Sequence, residues 1–260
     1  MKIDYGGDMA GSGDAMTGPD AAWQARVDLA AMLRIAVHLD LHEGVDNHFS
    51  VLVPGRSDRF LINPHRRHWS EVRASDIVEV DLEGRPVDGK QPPEATALNI
   101  HSRMHQKCPH ATCILHAHTR FATALSMLDG VRVEPAVQGA LKFYGQIAYD
   151  DVFGGLVLDS DEGDRGAEAL GDRRILFMAN HGVTVVGPTI AHAFNDLYYL
   201  ERVCRAQITA MSSGAPLKRI PQDVAQHTFE QMQADRDDQA THHFAAMKRL
   251  LDREGADYAS

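Results

Sequence analysis

The spacing of apolar positions along this chain changes several times, and each change marks an element. Trp23, Val27, Ala30, Leu33 and Val37 recur at intervals of three and four, which predicts a first helix over 21–41. Asp20, next to the boundary residue Pro19, is placed to cap it. Phe49, Val51 and Val53 then alternate, Pro54-Gly55 turns the chain, and Phe60-Leu61-Ile62 follows, so the period of two predicts paired strands. Ile77, Val78, Val80 and Leu82 add a third strand, closed by Glu83-Gly84. Pro92-Pro93 precedes a helix expected over 94–107, which Pro109 ends. The apolar run 111–115 reads as a strand, 120–128 as a helix, and 175–178 and 183–186 as two further strands. Phe194, Leu197, Leu200 and Val203 lie on a long helix that runs through about 212. Gly154-Gly155 and the acidic stretch 159–164 read as loops, and helical text rich in Gln and His continues beyond Pro221 to about 253.

This order of strands and helices, without an internal repeat or a strong linker, predicts one α/β domain with helical ends. Residues 1–20 form a flexible leader, 21–213 the domain, and 214–260 a helical extension that packs on the domain or on a neighbouring subunit. A formal net charge of -10 leaves no broad cationic surface for phosphate backbones, so a nucleic-acid partner is excluded. No apolar run approaches the roughly 20 residues that span a bilayer, and the first residues lack the basic start and apolar stretch of a signal peptide. Cys108, Cys113 and Cys204 form neither an even framework nor a Cys-x-x-Cys pair, which points to a reducing, cytoplasmic setting.

Candidate chemistry starts at His116-Ala117-His118, where a strand ends. Side chains two apart on a strand share a face, so both imidazoles are presented together and can bind a divalent metal. A catalytic zinc usually has three protein ligands and an open position; the third candidate is His181, in Asn180-His181-Gly182 after the run 175–178. With 15 histidines in 260 residues, a His-x-His is weak evidence alone. Glu94 is an acid candidate, although an acid at a helix N-terminus is also stabilised by the helix dipole, by about 0.3–1 kcal/mol.

The ordered set of segments is more specific than any one of them. Asp46-Asn47-His48-Phe49-Ser50, Leu61-Ile62-Asn63-Pro64, the run from Ser75 to Gly84, Pro93-Glu94, His116-Ala117-His118, Asn180-His181-Gly182-Val183 and Leu200-Glu201 together resemble the class II aldolase and adducin head-domain family, over about residues 22–212. The resemblance implies a single three-layer α/β/α domain around a mainly antiparallel sheet. It assigns His116, His118 and His181 as metal ligands and Glu94 as the catalytic carboxylate. It implies a homotetramer with sites near subunit interfaces, where Tyr144 is a candidate acid supplied by a neighbour. The activity expected is that of a lyase: carbon–carbon cleavage or formation on a small hydroxy-carbonyl compound or keto acid, through an enolate that the metal stabilises while Glu94 moves the proton. Zinc (Zn2+) is the first choice; three imidazoles do not discriminate decisively against manganese (Mn2+) or iron (Fe2+).

Departures from the sugar-phosphate members bear on substrate. Their phosphate loops use Ser, Thr and Gly, whereas this chain reads Asn63-Pro64-His65-Arg66-Arg67-His68 and Gln91-Pro92-Pro93-Glu94. Proline has no backbone donor, so a carboxylate held by Arg66 or Arg67 fits better than a phosphate. Alternatives on the same fold are a metal-dependent decarboxylase, an iron oxygenase and a non-catalytic adducin-like interaction domain; true adducin heads lack the metal histidines kept here. His101 and His105 are four apart on the Glu94 helix and are expected on its surface, with His101 bordering the site as the alternative. His242-His243 is expected at the surface and Cys113 as a small buried hydrophobe.

Overall fold

The computed structural model describes residues 18–156 and 160–260. Seven strands form one sheet: β1 (His48–Leu52), β2 (Arg59–Ile62), β3 (Val78–Asp81), β4 (Cys113–Ala117), β5 (Ile147–Asp150), β6 (Ile175–Met178) and β7 (Gly182–Gly187). Their order is β3-β2-β1-β4-β7-β6-β5. Every neighbouring pair is antiparallel except β5 and β6. A helix, α4 (Ser160–Leu170), lies between those two strands in sequence, and a crossover of that kind is what a parallel pair requires. The α/β fold with a mainly antiparallel sheet is therefore as expected.

Alternation along the strands divides the core. Phe49, Leu115, Phe177, Val183 and Val185 pack on one face, with α1 (Pro19–His38), α3 (Arg120–Ser126), α5 (Ile190–Met211) and α7 (Arg236–Arg253). Ile114, Leu176 and Val186 point the other way, towards α2 (Ala95–Lys107) and α4. α1 opens at Pro19, whose missing N–H costs nothing at the first helical position; of the leader expected over 1–20, only 18–20 lie among the described residues. At the other end α6 (Gln222–Ala234) leads into α7, which packs on α5 and seats Phe244, Met247 and Leu251 in the core. No helix among the described residues is long and apolar enough to cross a membrane.

Two expectations are corrected. The acidic stretch 159–164 is not a loop throughout, because α4 begins at Ser160. Its buried positions are Gly163, Gly166, Ala167 and Leu170, a helical stripe in which the first members are glycines. Small residues are required there: a Cβ on Gly163 would stand 2.4 Å from the Asn99 carbonyl oxygen of α2. Its start reads as a loop because the first turn is acidic, with Asp161 and Glu162, and the first buried residues are glycines. The stretch between α3 and α4, where the sequence pattern predicted no strand, contains β5, which pairs with β6 alone at the sheet edge.

Candidate metal centre

Antiparallel pairing brings the start of β1, the end of β4 and the start of β7 to one edge of the sheet. His48 lies opposite His116, and His116 opposite Thr184. His118 follows β4 directly and His181 precedes β7 directly. The ligating nitrogens of His116, His118 and His181 all lie within 4.8 Å of one another. The three histidines that the sequence offered as ligands thus come together, although His116 and His181 are 65 residues apart in the chain.

The Asn180-His181-Gly182 tripeptide can be read residue by residue. Asn180 takes a left-handed backbone, φ 56°, which asparagine tolerates better than most residues. Gly182 runs so close to β4 that a Cβ would stand 2.7 Å from the Ala117 carbonyl oxygen and 2.8 Å from His118 Cδ2. Glycine is required for His181 and His118 to approach. On the far side of His118, the buried Glu201 accepts hydrogen bonds from the Thr119 hydroxyl (2.7 Å) and the backbone N–H groups of Phe121 (2.8 Å) and Ala122 (2.9 Å). It thereby holds the N-terminus of α3 and the turn after His118. Asn63 serves the first strand in the same manner, its side-chain oxygen accepting from Phe49 N–H at 2.8 Å.

Outer partners settle which imidazole nitrogens face the centre. His118 Nδ1 donates to the Glu43 carboxylate at 2.5 Å. His116 Nδ1 is hydrogen-bonded to Thr184 Oγ1 at 3.1 Å, and that hydroxyl also lies 3.6 Å from its acceptor Met178 Sδ. Each ring thereby turns Nε2 to the centre, and the two Nε2 atoms stand 3.1 Å apart. Nitrogens bound to one tetrahedral zinc at about 2.0–2.1 Å are roughly 3.3 Å apart, so the donor set fits a divalent metal. Burial, then the neighbouring imidazoles, pushes His116 well below the usual histidine range; burial and then His118 bring His181 to about 4. Neutral rings are what a metal needs.

The three histidines line a cavity of about 380 Å³ together with Glu94, Asn47 and His48. Glu94 is the N-cap residue of α2, yet its side chain makes no capping hydrogen bond. The Asn47 side-chain N–H group is buried without a partner among the described residues and belongs to a residue of the cavity wall. Arg66 and Arg67 line an adjoining cavity of about 760 Å³, which shares Glu94 with the first. Arg67 is held by Asp76, and Arg66 sits on a left-handed backbone with φ 56°. Tyr144 is not among the residues that line the histidine cavity of its own chain.

The surface placement expected for His101 and His105 is wrong. Both are buried, at 0% and 6% exposure. They face β1, where Ser50 and His48 supply polar partners, so this polar stripe of α2 is internal. His101 contacts His48 (2.8 Å) and Ser50 (2.5 Å), and His105 contacts Ser50 (2.8 Å). The signal that could have exposed this is the pair His48 and Ser50, two apart on a strand and so on one face. His243 is half-buried against Phe194, with only His242 exposed, whereas Cys113 is buried as expected.

His105 carries a consequence for stability. Burial holds its imidazole down at about 3, against 6.5 for an exposed ring. As pH falls, the unfolded chain accepts this proton near 6.5 while the folded chain refuses it until about 3. The contribution of the neutral ring is thus complete above pH 6.5 and is lost progressively towards pH 3. Between about pH 6 and pH 5, urea unfolding should show stability falling by up to about 1.4 kcal/mol per pH unit more steeply than in His105→Gln. Identical slopes would contradict a neutral buried ring.

Comparison with known proteins gives the family and the fold. Residues 27–208 match the family model described as the Class II Aldolase and Adducin N-terminal domain. A solved aldolase II superfamily protein from Pseudomonas syringae superposes with a TM-score of 0.87 at 33% identity, covering 94% of this chain and 98% of its own. An L-fuculose 1-phosphate aldolase from Glaciozyma antarctica gives 0.78 at 26% identity, covering 91% of this chain and 92% of its own. Decarboxylase NovR of Streptomyces niveus is 30% identical over 73% of this chain and 70% of its own length. From the converging histidines to the sheet that carries them, this chain belongs to the class II aldolase and adducin N-terminal domain family.

Proposed function

We propose that this protein is a metal-dependent carbon–carbon lyase that acts on a small hydroxy-carbonyl compound or keto acid, with His116, His118 and His181 as ligands of zinc. The observation that carries the reading is the convergence of three imidazoles, two of their Nε2 atoms 3.1 Å apart, in a cavity that also contains a carboxylate without a capping role. A divalent cation held by the triad supplies Lewis acidity to a substrate carbonyl. Glu94 then removes or returns the proton as general base and acid, from the N-terminal end of α2. Buried Asn47 N–H donates to an oxygen of the bound molecule, which gives that polar group the partner it lacks among the described residues.

The substrate carries a carboxylate rather than a phosphate. Asp76 occupies Arg67, which leaves Arg66, on the cavity that shares Glu94, to pair with it. The prolines before Glu94 offer no backbone donors to a phosphate. Decarboxylation is the second reading, favoured by this arginine and by the similarity to a relative named a decarboxylase. A homotetramer completes the proposal, with Tyr144 of a neighbouring chain as the additional acid.

The test combines metal analysis of protein purified without added metal with a screen of small keto and hydroxy acids. Retained zinc and chelator-sensitive release of a carbonyl product support the lyase; release of carbon dioxide supports the second reading. Loss of folding on chelation, with no turnover of any acid, would favour a structural metal in an adducin-like interaction domain.

A further inference from the structure

Behind the metal centre, four side chains form a continuous buried chain. His105 Nδ1 lies 2.9 Å from the Ala111 carbonyl oxygen, and His105 Nε2 lies 2.8 Å from Ser50 Oγ. Ser50 Oγ is 2.5 Å from His101 Nδ1, and His101 Nε2 is 2.8 Å from His48 Nδ1. The first partner, a carbonyl, can only accept, and this sets the direction of every later bond. His105 must donate from Nδ1, so its Nε2 accepts from the Ser50 hydroxyl. With its proton so committed, Ser50 accepts from His101 Nδ1–H. His101 Nε2 then accepts from His48 Nδ1–H. A run in the opposite sense would set the His105 Nδ1 lone pair against the carbonyl oxygen at 2.9 Å. Burial supports the neutral state this needs, holding His105 at about 3 and His101 well below the usual range.

All three histidines are therefore Nδ1–H tautomers, and the last Nε2 in the row, that of His48, keeps its lone pair. His48 is 5% exposed, lines the 380 Å³ cavity and stacks on His116 with ring centroids 4.7 Å apart and planes at 18°. Its Nε2 is outside the group of nitrogens that converge on the metal position, so it is a neighbour of the centre rather than a ligand. We propose that His48 Nε2 is a fixed hydrogen-bond acceptor for a hydroxyl of the bound molecule, and that the buried row His48–His101–Ser50–His105 exists to hold it in that tautomer. The proposal rests on the reading of this cavity as the substrate site. It deepens that reading by assigning a specificity-determining residue, one that favours hydroxy acids over acids lacking the hydroxyl. An Asn47 donor and a His48 acceptor on one wall would read the two sides of such a molecule.

The test has two parts. Nitrogen-15 histidine spectra of the wild-type protein should show His48, His101 and His105 protonated at Nδ1 alone, with or without added zinc; a protonated Nε2 on His48 overturns the proposal. Calorimetric binding of glycolate and of acetate to the zinc-loaded protein supplies the second part, in the wild type and in His48→Phe, which keeps a flat ring against His116. Chelation of the metal by the glycolate hydroxyl contributes in both proteins and cancels in the comparison. The preference for glycolate over acetate should fall about tenfold in the variant, the scale of one hydrogen bond, with zinc content unchanged. An unchanged preference removes His48 from its role and leaves the metal-site reading standing. Failure of the wild type to bind zinc or either acid overturns both.

Discussion

Replacing Glu94 with glutamine is expected to leave the metal content intact and to lower turnover at least about 100-fold, the scale of general acid–base catalysis. Glutamine preserves the shape and the hydrogen-bonding reach of the side chain but cannot carry the proton. The prediction is sharp because the carboxylate has no structural task in view. It sits at the N-cap of α2 with a backbone that suits capping, φ -62° and ψ 144°, and still makes no capping hydrogen bond. Its backbone carbonyl alone serves the helix, accepting from Leu98 N–H at 3.1 Å. Thermal stability of Glu94→Gln should consequently match the wild type. Equal turnover in the two proteins, on any substrate the acid screen finds, would take Glu94 out of the chemistry.

His116→Ala should lose the metal and all measurable turnover while keeping the fold. His116 is 1% exposed and is the most deeply buried of the triad, fixed by Thr184 on the neighbouring strand. Changes to the outer partners of metal ligands commonly weaken binding about 10- to 100-fold. Loss of a ligand itself should exceed that range. The deletion also leaves a cavity beside His48, which stacks on this ring, so a modest drop in melting temperature is expected alongside intact secondary structure. Metal content by elemental analysis and far-ultraviolet dichroism decide the matter together. Full metal content in His116→Ala would place the binding site elsewhere.

Much of this site was legible because its residues lie on regular elements with short periods. A His-x-His at a strand end can present both rings only on one side, whatever surrounds it. Asn180 and Gly182 flag an unusual backbone around His181, and the structure supplies the reason: a left-handed residue followed by a strand too close to β4 for any side chain. The apolar runs of β1, β2, β4, β6 and β7 and the spacing of α1 and α5 were likewise plain, since these strands are almost wholly buried and these helices pack on a large core.

What failed to show was whatever depended on a neighbour. α4 opens on an acidic turn and buries Gly163 and Gly166 before Ala167 and Leu170, so its start reads as a loop, and β5 is an edge strand with a single partner. His101 and His105 read as polar helix residues, and polar residues on helices usually face water. Only the fold places Ser50 and His48 over them and turns the stripe inward.

The chain's own pattern determined the α/β class, the strand-end histidines and the position of Glu94 at a helix start, because local periodicity and backbone preference are properties of neighbouring residues. Tertiary structure alone decided that His116, His118 and His181 meet, which nitrogens they turn to the centre, and how the buried row behind them is polarised. Those depend on cross-strand register and on the hydrogen-bond partner each ring finds, and no local stretch of sequence contains that information.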